Sequence, residues 1–186
     1  MPLSKSSLEP YLQGCLDKFC GIYAIINALQ ELDRAPFSHR KATMYFNQMV
    51  RELERQKKLA LTATSGMSRA TLLQLLTHTL HCSRSDRKRR VSYGRPYARN
   101  RKADIRDLAA SLNADKGCGC AIVRILGKGQ NHWTVIKGIE RGWVKISDSD
   151  ECGNFRLSDI RFGDRPPNRG YCIPAADVLL LGAIER

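Results

Sequence analysis

Residues 130–148 constrain the fold most. Trp133-Thr134-Val135-Ile136 is an aromatic and β-branched run, Arg141-Gly142 is a two-residue turn signal, and Trp143-Val144-Lys145-Ile146 alternates as a return strand does. Two antiparallel strands joined this way bring His132, at the start of the first, beside Asp148, at the far end of the second. An imidazole and a carboxylate in that relation suit a general base and the group that orients it.

A nucleophile to match lies near the other end of the chain. Ile22, Ile25, Ile26 and Leu29 recur at helical spacing, and Cys20 stands where that helix begins. There the partial positive charge of unbonded backbone N–H groups favours an anion such as a thiolate. Gly21 is expected to let a substrate backbone approach the sulfur. A buried, inert thiol is the other reading of such a position. Cys15 and Asp150 are alternative members of the set, but Cys15 lacks the helix start and Asp150 lies past the strand end.

Cys20-Gly21 at a helix start, His132-Trp133 on a strand and Asp148 on the next one resemble the papain-like cysteine peptidases. The pattern is most similar to the compact C39-like peptidases of bacteria. The resemblance spans both halves of the catalytic core but little of residues 35–115. It implies an α+β, papain-like fold, in which N-terminal helices carrying the nucleophile pack on a C-terminal antiparallel sheet. It also implies a Cys20-His132-Asp148 triad that hydrolyses a peptide or amide bond in a protein or peptide substrate, with no cofactor or metal. The family carries a glutamine ahead of the cysteine whose side-chain N–H binds the oxyanion. Gln13 is the counterpart, one residue further from Cys20 than is usual in the family, and a plain surface-loop residue is its other reading. Deamidation and acyl transfer use the same three groups.

The remaining chain reads as one domain over 1–186, with a helical half to about residue 115 and a sheet half after it. Further helices are expected at 39–58 with Ser38 as cap, at 69–80 with Ser68 as cap, and at 103–113. Residues 64–66 read as a loop. Residues 120–126 form a strand, 127–129 a flexible turn, 149–170 irregular structure with a short strand or turn at 155–157, and 177–185 a buried strand that closes the sheet. His78, His81, Cys82, Cys118 and Cys120 match no paired zinc-ligand spacing. No apolar run reaches the ~18 residues of a membrane span. Residues 1–7 lack the apolar stretch of a signal peptide, and seven cysteines is an odd number, so a reduced, cytoplasmic protein is expected, or an effector exported without a cleaved signal.

Net charge is +13, and ten of residues 84–106 are Lys or Arg against Asp86 and Asp104. This segment, with Arg87, Lys88, Arg89, Arg90, Arg99 and Arg101, reads as a long basic loop or ribbon. It is suited to nucleic acid or an acidic protein, with Tyr93 and Tyr97 placed to stack on bases. A solvated loop is the alternative. A second functional class follows from it: a nucleic-acid or acidic-protein binding module on an inactive papain-like scaffold.

Overall fold

An apolar helix with almost no polar face must be covered on every side, and α1 (Cys20–Asp33) is. Ile22, Ile25, Ile26, Ala28, Leu29 and Leu32 are all buried, between the sheet on one side and α2 (His39–Arg55) and α4 (Arg69–Cys82) on the other. The computed structural model describes residues 10–12, 18–33, 36–82, 89–98, 104–113, 118–127, 130–149, 153–165 and 168–185.

The helices start where serine caps them. Ser38 Oγ accepts the Lys41 N–H at 3.2 Å, and Ser68 Oγ accepts that of Thr71 at 3.2 Å. Along α2 the buried residues Ala42, Tyr45, Met49 and Leu53 recur every three or four positions and face α1 and α4. This helix ends at Arg55, earlier than the expected 58, because Lys57 turns into the left-handed region at φ 56°. Residues 59–65 then form a short helix, α3 (Leu59–Ser65), where 64 and 65 read as loop, and Gly66 at φ 81° stops it.

The sheet runs in the order β1-β8-β2-β3-β4-β5. Its strands are β1 (Arg89–Gly94), β2 (Cys118–Gly127), β3 (Gln130–Glu140), β4 (Trp143–Ser147), β5 (Phe155–Arg156) and β8 (Val178–Glu185), each antiparallel to its neighbours. Two short strands, β6 (Ile160–Phe162) and β7 (Tyr171–Ile173), pair in parallel, and β7 touches β2 at Leu126↔Cys172. The stretch expected to be irregular therefore holds β6 beyond the short strand at 155–156. β8 does not close the sheet. It is an inner strand, with β1 from the basic segment outside it.

Both faces of the sheet are covered, which is why its central strands are apolar at successive positions. Cys120 and Ile122 of β2 join Leu179 and Leu181 of β8 in a core shared with α1, α2 and α4. Ala121, Val123 and Ile125 join Val178 and Leu180 in a second core on the opposite face, under α5 (Ile105–Asn113) and Tyr97. Tyr97 is thus a core residue, donating to the Asp107 carbonyl at 2.9 Å, and is not free to stack on a base. Tyr93 is half-buried with its hydroxyl 2.8 Å from that of Thr77. The fold class is α+β, and among the described residues no helix is long and apolar enough to cross a membrane.

Candidate active site

The β3–β4 hairpin turns on Arg141 and Gly142, both at positive φ (49° and 78°), the primed turn whose twist matches that of paired strands. The return strand ends at Ser147, and Asp148 follows it, buried. Thr134 Oγ1 donates to the Ser147 carbonyl at 3.5 Å, which ties this strand end to β3. His132, third residue of β3, places Nε2 2.7 Å from Asp148 Oδ1. The carboxylate accepts the Nε2 proton, and Nδ1 is the nitrogen left for another partner.

Cys20 lies close enough to His132 to help raise its pKa. Cys20 is the first residue of α1 and only 6% exposed. The helix begins on Phe19, whose carbonyl accepts the Ile22 and Tyr23 N–H groups at 2.7 and 3.2 Å. Burial alone would lower the His132 pKa. The hydrogen bonds to Asp148 and then Cys20, together with the negative charges of both, outweigh burial and push it up to about 10. The imidazole is held as imidazolium against the Asp148 carboxylate, with Cys20 beside it.

Trp133 fastens this end of the hairpin to the helical half. It is among the largest fully buried side chains, and its Nε1–H donates to the Met67 carbonyl at 2.8 Å. Met67 in turn packs on Gly21: a Cβ at Gly21 would lie 2.6 Å from Met67 Sδ and 2.9 Å from Leu72 Cδ1. A Cβ at Gly21 would therefore crowd the α3–α4 loop and α4, so packing there favours glycine. Met67 and Trp133 give no signal of this role in the sequence beyond the tryptophan following His132.

A second arrangement holds the chain ahead of the site. Asn27, buried on α1, accepts the Tyr11 N–H at 2.8 Å and donates to the Tyr11 carbonyl at 3.3 Å. The Tyr11 hydroxyl donates to the Phe37 carbonyl at 2.6 Å, and Gln30 Oε1 accepts the Phe37 N–H at 3.0 Å. Two polar side chains buried in an apolar helix thus bind the segments before and after it.

Of the residues expected at the site, Cys20, His132 and Asp148 come together. Gln13, with the alternatives Cys15 and Asp150, lies outside the described residues, as do Arg87, Lys88, Arg99 and Arg101. Arg89 and Arg90 open strand β1 in place of a loop. A groove of about 540 Å³ between α2 and α4, lined by residues including Arg51, Glu52, Arg55 and His78, contains none of the three. Comparison with protein-family models, with characterised proteins and with solved structures finds no match.

Proposed function

We propose that this chain is a papain-like cysteine hydrolase that cleaves a peptide or amide bond. The observation that carries the reading is His132, hydrogen-bonded to Asp148 and held as imidazolium, next to the Cys20 thiol at a helix N-terminus.

Cys20 as thiolate attacks the carbonyl carbon, and the carbonyl oxygen takes the electron pair. The backbone N–H of Cys20 and the side chain of Gln13 donate to that oxyanion. As the C–N bond breaks, the departing amine takes the proton held on His132, and a thioester remains. Water then gives a proton to His132 as it attacks the thioester, and Cys20 departs from the carboxylic acid. Asp148 keeps the imidazole oriented and balances its charge throughout. An amine or alcohol in place of water would make the same site an acyltransferase, and a glutamine side chain as substrate would make it a deamidase.

The test is site-resolved alkylation of the cysteines from about pH 5 to 9, in wild type and His132→Ala. Cys20 is expected to label fast below neutral pH and to lose that advantage without His132. Labelling of Cys20 no faster than Cys82, which is exposed, would count against the reading. The net charge of +13 supports a second reading, a binding module for nucleic acid or acidic protein. Such a module would keep its function in Cys20→Ala and lose it as salt rises, whereas a hydrolase would lose all turnover in that variant.

A further inference from the structure

Charge is out of balance around one buried carboxylate. Asp177 is buried at 1% exposure, and two guanidiniums converge on its carboxylate. Arg69 Nη1 lies 3.2 Å from Oδ1, and Arg124 Nη2 lies 2.6 Å from Oδ2. Arg95 Nη2 donates to the Ala176 carbonyl at 3.1 Å, one residue before Asp177. Arg161 and Asp164, which act with Arg124 on the Cys172 thiol, carry opposite charges and leave the excess in place.

One carboxylate needs one cation. Arg69 donates to Asp177 through Nη1 and Arg124 comes nearest through Nη2, while among the described residues Arg124 Nε has no hydrogen-bond partner, so donors remain for another acceptor. Both side chains also reach solvent, Arg69 at 44% and Arg124 at 29% exposure. A planar fork with spare donors is the group best matched to a second carboxylate.

Trp133 connects this position to the residues around the reacting groups. Arg124 is the cross-strand partner of Trp133, and the neighbouring Ile125 is the partner of His132. The Arg124 guanidinium carbon lies 5.8 Å from the Trp133 ring centroid. Arg69 stands two residues after Met67, which accepts from Trp133 and packs on Gly21 beside Cys20.

We propose that Arg69 and Arg124, oriented by Asp177, bind the carboxylate of an aspartate or glutamate side chain in the substrate, so that the site prefers acidic peptides. The proposal rests on Cys20 being the nucleophile. Its substrate class agrees with the strongly basic chain, because an acidic peptide is also drawn toward it over longer range.

The test reads the rate at which Cys20 is alkylated, so that it does not depend on turnover. The probes are iodoacetyl peptides of increasing length, made in matched pairs that carry Glu or Gln at one position. Wild type is expected to take the Glu member of at least one pair about tenfold faster than its Gln member. That ratio is expected to fall to about one in Arg124→Gln and in the more exposed Arg69→Gln, to be partly kept in Arg124→Lys, and to stay unchanged in Arg51→Gln on α2. Equal rates for both members at every length would overturn the proposal, as would a Glu preference that survives in both Arg→Gln variants. Equal rates together with weakened binding of a single-stranded thymidine oligonucleotide in those variants would overturn it in favour of phosphate. If Cys20 takes neither probe, the nucleophile reading falls and the proposal falls with it. Discrimination between probes without cleavage of the corresponding acidic peptides would sink the hydrolase reading and leave the acidic subsite standing.

Discussion

His132 Nε2 sits 2.7 Å from Asp148 Oδ1, across the open end of a hairpin whose turn lies at Arg141-Gly142. The carboxylate is buried and faces an imidazole that is only 12% exposed, so little water screens the pair. Replacing Asp148 by Asn keeps an acceptor oxygen but removes the charge. The His132 pKa, followed by NMR of its ring protons, is expected to fall well below about 10 in Asp148→Asn. In Asp148→Ala, where orientation is lost as well, turnover of a cleaved peptide is expected to drop on the order of a hundredfold or more.

The same pair makes stability depend on pH in a definite direction. A histidine whose folded pKa is raised from 6.5 to about 10 contributes stability that is fully present below its unfolded value. That contribution declines above about pH 6.5 and is gone once the pH has risen through about 10. Urea midpoints at the two ends of this window are expected to differ more in wild type than in His132→Gln. An equal difference in both proteins would show that other groups set the alkaline limb.

Glu52 sets a window on the acid side. Hydrogen bonds from Arg55 and Gln56 outweigh its burial and hold it at about 2, below the usual 4.5. A depressed carboxylate stabilises the fold above its unfolded pKa and stops doing so as pH falls through its folded one. Wild type is therefore expected to lose stability between about pH 4.5 and 2, and Glu52→Gln to lose less over that range.

Trp133→Phe keeps a buried aromatic ring but removes part of the indole volume together with the Nε1–H that the Met67 carbonyl accepts. It is expected to cost at least about 1–3 kcal/mol in denaturant unfolding, because a buried carbonyl is left without its donor and a cavity opens beside it. Because Met67 also packs on Gly21, Cys20 labelling is expected to slow in the same variant while that of Cys82 does not.

Asn27→Ala leaves the Tyr11 N–H and carbonyl without the side chain that satisfies both. A loss of about 1–3 kcal/mol is expected on unfolding. Since Tyr11 stands two residues before Gln13, turnover is expected to fall further than stability alone explains. If turnover tracks only the folded fraction, the anchoring of residues 10–12 has no part in the site.

Local patterns carried a large part of this protein into view. The 3.6-residue apolar spacing of α1 and α2, the serines that cap α2 and α4, and the turn between β3 and β4 are short-range effects of sterics and hydrogen bonding, so neighbours in sequence suffice to specify them. The hairpin also made the proximity of His132 and Asp148 readable, because antiparallel pairing converts strand length into distance. Other features depended on residues far apart in the chain. β1 forms within the basic segment because β8 offers it a sheet edge, and Tyr97 is buried because α5 covers it, whatever the charge of the residues around them. Gly21 answers to Met67 and Leu72, Trp133 to Met67, and Asp177 to Arg69 and Arg124. Each of these is a contact across the core, where close packing and the cost of an unpaired polar group select a partner that no local pattern announces.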